Sequence, residues 1–179
     1  KITPLKVIAD DAMKKTPSIE FTIVLKRTNS NIKMQENRDF WWHEEMKGSN
    51  EKCKAESMNS EDELFILYTS GSTGKPKGIV HTTAGYMIYA QYSFENVFQY
   101  KKGDIYWCTA DIGWITGHSY IIYGPLLAGA TTVMFEGVPT YPDPGRFWEI
   151  VQENKINIFY TAPTAIRACL LYTSPSPRD

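Results

Sequence analysis

Residues 68–78 of this chain read YTSGSTGKPKG, from Tyr68 to Gly78. The apolar run that precedes them, residues 63–67, has the length of a buried strand. Glycines let a backbone fold so that several N–H groups point into one concavity, hydroxyls add donors, and Lys75 and Lys77 add positive charge. This order of residues predicts a loop that binds a polyphosphate. By composition alone, a surface hairpin with solubilising lysines is the alternative.

The loop differs from the Walker phosphate-binding motif, which requires Gly-Lys followed by Ser or Thr and then a helix. Here Pro76 follows Lys75, which disfavours helical angles at Lys75 and removes an N–H. The chain is therefore expected to leave the loop as an extended segment through residues 78–80. The pattern predicts a strand–loop–strand unit with no helix dipole behind the phosphates.

Bulk properties predict a single soluble domain with a real core. The chain has 179 residues, of which 42% are hydrophobic and 22% charged, and its formal net charge of −1 argues against a nucleic-acid or membrane partner held by charge. The longest apolar region, residues 120–135, is interrupted by Gly124, Pro125 and Gly129 and is too short to span a bilayer. Cys53, Cys108 and Cys169 form no paired cysteine motif and are therefore predicted to be reduced thiols. Reduced thiols in turn predict a cytoplasmic location for the protein.

Apolar periodicity alternates between strand and helix along the chain. Strands are predicted near residues 20–27, 63–67, 105–108, 130–135 and 156–160. Helices are predicted near residues 1–18, 40–46 and 82–100. Three further helices are predicted, one that ends near residue 127, one that begins at residue 143 and one that begins at residue 163. This alternation predicts an α/β fold with a largely parallel sheet. Ligands gather beyond the carboxyl ends of parallel strands, so the loops at Ser70, Asp111 and Ala162 are expected on one rim if their strands run parallel.

The loop sequence resembles the phosphate loop of AMP-forming acyl-CoA synthetases, and its continuation through His81-Thr82-Thr83 narrows the resemblance to acetyl-CoA synthetase. The resemblance runs from about Leu5 to about Ala168. It implies that residues 1–170 are a partial large N-terminal domain of an acyl-adenylate-forming enzyme, the AMP-binding or adenylating domain. Residues 171–179 contain two Ser-Pro pairs and do not resemble the family, so they are expected to be a disordered or artefactual tail.

Enzymes of this family join acetate to ATP in the presence of Mg²⁺, forming acetyl-adenylate and pyrophosphate, and then transfer the acetyl group to coenzyme A. The resemblance implies that this chain is a fragment of such a ligase, whose substrates are acetate, ATP and coenzyme A. The partner of the fragment would be the remainder of the same polypeptide. The fragment would be inactive alone, since the family's hinge and C-terminal domain are missing. Propionate or another short-chain acid, a non-catalytic nucleotide-binding fragment, and a translated fragment without function remain alternatives.

The resemblance also implies roles for particular residues. The β- and γ-phosphates of ATP would be held by Thr69, Ser70, Gly71, Ser72, Thr73, Gly74, Lys75 and Lys77. The acyl pocket would be lined by Trp114, Ile115 and Thr116, and coenzyme A would contact Thr116, Thr140 and Ala162. No catalytic residue and no metal ligand is expected in this part of the chain. Because an ionised carboxylate needs no general base, His81 and His118 are interpreted as packing or capping residues, and Asp111 as structural.

Overall fold

The computed structural model describes residues 3–69 and 74–173, the last three of these as backbone only. Four residues of the predicted phosphate loop, Ser70, Gly71, Ser72 and Thr73, and the predicted tail from 174 onward lie outside the described residues. The chain divides into two compact units, Lys1–Glu56 and Ser57–Asp179. In the described ranges, no helix combines the length and the apolar character needed to cross a membrane.

The first unit contains two helices and a pair of short strands. Helix α1 (Leu5–Met13) precedes strands β1 (Thr22–Val24) and β2 (Asp39–Trp41), which pair in parallel; helix α2 (Trp42–Glu45) and a 3₁₀ turn (Met46–Gly48) follow. The helix predicted to open at Phe40 begins at Trp42, because Phe40 is extended and pairs with Ile23. Residues 49–62, a mostly hydrophilic stretch, contain no helix or strand, and all of them up to residue 61 are exposed.

Four charged side chains hold α1 to β2 within this unit. Asp39, whose side chain has no exposed surface, accepts Lys6 Nζ at 2.7 Å and Arg38 Nε at 2.6 Å. Asp10 accepts Lys6 Nζ at 2.6 Å and is also bonded to Arg38. The hydrogen bond from Arg38, assisted by Lys6, holds the pKa of Asp39 well below its usual range despite the burial of the carboxylate.

Within residues 57–69 and 74–173, the second unit contains two separate sheets. Strands β3 (Glu63–Thr69) and β4 (Lys77–Thr82) form an antiparallel hairpin. Strands β5 (Ile105–Cys108), β6 (Thr131–Val133) and β7 (Ile158–Tyr160) form a parallel sheet in the order β6-β5-β7. The predicted parallel sheet is therefore confirmed. The strand before the phosphate loop, however, lies in the antiparallel sheet, so the condition for placing three ligand loops on one rim is not met.

Helices cover both faces of the parallel sheet. They are α3 (Thr83–Val97), α4 (Ile115–Gly117), which continues as a π-helical segment (His118–Tyr123) into α5 (Gly124–Leu127), α6 (Arg146–Glu153) and α7 (Pro163–Thr173). Side chains alternate along β5, so Trp107 packs against Phe147 and Phe159 on one face, while Tyr106 packs against Phe94 on the other. These contacts form the two aromatic cores of the unit.

Two positions in the second unit differ from what their local sequence favours. Val97 continues the apolar period of α3 but is exposed, whereas Tyr86 and Ser93 are buried on that helix. Asp143-Pro144 is typical of a helix start, but Asp143 Oδ1 accepts the N–H of Gly145 in a turn and α6 begins at Arg146.

Candidate functional site

The β3–β4 hairpin presents the described part of the predicted phosphate loop. Thr69 lies opposite Lys77 at the last pair of the ladder, and both residues are exposed. Gly74 has a φ of 76°, in the left-handed region that favours glycine, and the adjoining Lys75 is exposed. One hydroxyl and two ammonium groups are therefore exposed at the loop end of the hairpin, and none of the described residues 69 and 74–77 carries a carboxylate. This donor set suits a polyanion.

An aromatic cluster joins the hairpin to the helices behind it. The ring of Phe65, on β3, lies 4.8 Å from the rings of His81 and Tyr86, and 5.0 Å from the ring of His118. Tyr123 stacks on Phe65 at 5.9 Å and meets Tyr86 edge-on at 5.4 Å. The hairpin is thereby packed against both α3 and the π-helical segment. The expectation that His81 and His118 are packing residues agrees with these contacts.

A cavity of about 400 Å³ opens beside this cluster. It contains one of the three predicted acyl-pocket residues, Ile115, and its full lining is Val80, His81, Thr82, Gly85, Tyr86, Tyr89, Ile115 and Ser119. Two lining hydroxyls, Tyr86 Oη and Ser119 Oγ, are 2.7 Å apart and belong to buried residues. Burial raises the pKa of Tyr86 above its ordinary value. The cavity therefore combines apolar walls with a buried hydroxyl pair.

Tyr86 and Ser119 line the cavity although no sequence pattern predicted a ligand site at either residue. Tyrosines are frequent on α3, and the sequence alone gives the buried Tyr86 no feature that separates it from the exposed Tyr89 and Tyr92. The signal that distinguishes Tyr86 is its contact with a serine far along the chain, which only the folded structure supplies.

The segment from Trp114 to Thr116 is held by its main chain. The Trp114 N–H donates to the carbonyl of Asp111 at 3.1 Å, and the Asp111 side chain accepts the N–H of Gly113 at 2.7 Å. The Trp114 carbonyl accepts the N–H groups of Gly117 and His118 and also His118 Nδ1, the last at 2.9 Å. A Cβ atom on Gly117 would lie 2.4 Å from the Asp111 carbonyl oxygen, so the loop approaches the helix too closely for any side chain there. Asp111 has the structural role expected of it.

The two remaining predicted coenzyme A contacts, Thr140 and Ala162, are exposed and lie on different loops. The Ala162 carbonyl accepts the N–H groups of Ala165 and Ile166 where α7 begins. The residue before Thr140, Pro139, receives Cys169 Sγ from α7 at 3.9 Å on its carbonyl oxygen. Both loops are thus tied to the same helix.

The loops after β5 and β7 meet at the carboxyl edge of the parallel sheet. Thr109 and Thr161 hydrogen-bond through their Oγ1 atoms at 2.5 Å, and the Thr109 N–H donates to the carbonyl of Tyr160. Asp111 follows in the first of these loops and Ala162 in the second. Two of the three expected ligand loops therefore share an edge, and the hairpin reaches the neighbouring helix through Phe65.

A metal site made by the protein alone needs several oxygen, nitrogen or sulfur ligands close together. Within residues 3–69 and 74–173, no group of three His, Cys, Asp or Glu side chains lies close enough to hold a metal ion. The described side chains therefore offer no three-ligand cluster for Mg²⁺.

Comparison with known proteins places this geometry in a family. The model of the AMP-binding enzyme family matches residues 3–178. The chain is 59% identical over 167 residues to acetyl-coenzyme A synthetase of Nostoc linckia and 59% identical over 169 residues to that of Escherichia coli (strain K12), in each case over 93% of this chain. It spans 50% of the first relative and 26% of the second.

The fold is also found among solved structures. An acyl-CoA synthetase from Brucella canis superposes with a TM-score of 0.72 at 20% sequence identity, covering 92% of this chain and 33% of that one. At this identity the likeness shows the fold alone, and it agrees with the predicted acyl-adenylate-forming architecture. Since the family model covers nearly every residue and the strand–loop–strand unit, parallel sheet and covering helices are all present, this chain belongs to the AMP-binding enzyme family.

Proposed function

We propose that this chain is part of a ligase that activates acetate with ATP to form acetyl-AMP and then transfers the acetyl group to coenzyme A. The relatives named above, both acetyl-coenzyme A synthetases, support acetate as the substrate. Because the chain spans a quarter to a half of their length, the activity is proposed for the complete protein. The cytoplasmic location expected from the cysteines stays a prediction.

The β3–β4 hairpin is the observation that carries the proposal. In adenylation a carboxylate oxygen attacks the α-phosphorus of ATP, and the bond from that phosphorus to the bridging oxygen breaks as pyrophosphate leaves. Negative charge therefore grows on the leaving group, and cations or N–H donors placed there lower the barrier. Lys75 and Lys77 are exposed at the loop end of the hairpin, and Thr69 adds a hydroxyl opposite Lys77. We assign the β- and γ-phosphates to residues 69–77.

We assign the acyl group to the segment Trp114–Ile115–Thr116 and coenzyme A to Thr116, Thr140 and Ala162. Ile115 supports the first assignment because it gives the 400 Å³ cavity an apolar wall. Thr140 and Ala162 support the second because both are exposed on loops that contact α7. No proton is removed from an ionised carboxylate, so neither histidine is assigned as a base.

Replacing Lys75 and Lys77 together tests the phosphate assignment. The K75A/K77A variant of the complete protein is expected to lose acetate-dependent exchange of pyrophosphate into ATP by about 100-fold or more, the scale on which loss of transition-state charge stabilisation acts. K101A/K102A is the matched control, since these two lysines are also exposed and adjacent to a glycine turn but lie outside the hairpin. Equal exchange rates in both double variants would show that the hairpin lysines take no part in the proposed reaction.

A nucleotide-binding role without catalysis makes a different prediction. It requires saturable ATP binding that does not depend on any carboxylate, which calorimetry of the 179-residue chain measures directly. Propionate is separated from acetate by comparing kcat/KM for the two acids in the complete protein. A higher value for propionate would leave the ligase proposal in place and change its substrate.

A further inference from the structure

We propose that His118 is a positioning residue for the carboxylate substrate. It fixes the main chain at Trp114, and with it the Trp114–Ile115–Thr116 segment, against the β3–β4 hairpin. The inference rests on the proposed function, because it takes this segment to contact the acyl group. His118 itself is not assigned any contact with substrate.

The side chains of the segment have little packing to hold them in place. Trp114 is 70% exposed and Ile115 is 38% exposed. Their positions therefore follow from the main chain that carries them. At Trp114 the N–H is bonded to Asp111, and the carbonyl receives three donors, two from the main chain and one from the His118 side chain. Removing the His118 donor leaves the helix start with main-chain bonds alone.

The partner of Nδ1 determines the form of the His118 ring. A carbonyl oxygen can only accept a hydrogen bond, so Nδ1 must carry the proton that it shares with Trp114. In the neutral ring, Nε2 is then the unprotonated nitrogen.

The same ring also touches the hairpin. Its centroid lies 5.0 Å from that of Phe65 with an angle of 36° between the planes. Phe65 lies on β3, the strand that leads directly to Thr69. The His118 ring thus contacts Phe65 on β3, the strand that precedes the proposed phosphate-binding residues. Its Nδ1 atom contacts the Trp114 carbonyl at the start of the segment proposed to bind the acyl group. This arrangement fixes the proposed carboxylate site and the proposed triphosphate site relative to each other.

Two substitutions separate the two contacts. His118→Asn keeps an amide N–H near the place of Nδ1 and loses the ring, whereas His118→Phe keeps a ring against Phe65 and loses the donor. The His118→Phe variant is expected to raise the KM for acetate about tenfold, the change produced by losing one hydrogen bond of about 1.4 kcal/mol, with the KM for ATP unchanged. His118→Asn is expected to keep the acetate KM near wild type and to unfold at a lower temperature.

The measurement is pyrophosphate exchange by the complete protein, with acetate and ATP varied separately, alongside thermal unfolding of each variant. An unchanged acetate KM in His118→Phe, an equal rise in both KM values, or the same acetate KM in both variants would overturn the inference while leaving the ligase active. Absence of exchange in the wild type would overturn the proposed function and this inference with it. If His118→Phe does not fold, His118→Leu replaces it, because leucine has no hydrogen-bond donor for the Trp114 carbonyl.

Discussion

Among single residues, Gly117 shows how a missing side chain permits the turn at Asp111 to pack against the start of α4. Its helical angles are open to alanine, and alanine normally gains up to about 1 kcal/mol over glycine inside a helix. The new Cβ would nevertheless stand 2.4 Å from the Asp111 carbonyl oxygen, a main-chain atom that cannot rotate away. Gly117→Ala is therefore expected to lower the free energy of unfolding by about 1–3 kcal/mol in urea titrations. Gly48→Ala, where a Cβ meets nothing within 4 Å, is the control, and equal effects would contradict this reading.

At the scale of elements, hydroxyl pairs fasten α3 to the π-helical segment. Tyr86 bonds Ser119, and Tyr120 donates to Ser93 at 3.0 Å, so each element supplies one tyrosine and one serine. Tyr86→Phe leaves a buried serine without its partner and is expected to cost about 1–2 kcal/mol of unfolding free energy. Tyr92→Phe, exposed on the same helix, is expected to cost under about 0.5 kcal/mol. In a double-mutant cycle with Ser119→Ala, the double variant should cost less than the sum of the single variants; full additivity would exclude the bond.

At the scale of the whole molecule, the first unit is held by buried ion pairs and the second by aromatic cores. The pKa of Asp39 is lowered in the fold, so its contribution is complete above the unfolded value of about 4 and is lost as the pH falls below it. Asp39→Asn is expected to cost about 2 kcal/mol at pH 7 and to flatten the loss of stability as the pH falls below about 4. Asp11→Asn, in an exposed ion pair, is the control. Parallel pH profiles for Asp39→Asn and wild type would contradict the assignment.

The sequence predicted the local features of the second unit well. Pro76 after Lys75 led to a strand–loop–strand unit instead of a helix, and β3 and β4 have that form. The sequence-based prediction was wrong where pairing between strands determined the local structure. Phe40 was predicted to be helical because aromatic residues there allow either state, but parallel pairing with Ile23 keeps it extended. Likewise, Val97 fits the apolar period of α3 but lies where no neighbouring element covers it.

The family and the alternation of strands and helices could be predicted because both are recorded in the order of nearby residues, and the phosphate-binding role of residues 69–77 stays a prediction. The tertiary structure alone decided that β3 lies in a sheet of its own, that Tyr86 is buried on Ser119, and that His118 connects Phe65 to the Trp114 carbonyl. The physical reason is that these contacts join residues far apart along the chain. A side chain's neighbours across such distances are set by how whole elements pack, and local periodicity carries no record of them.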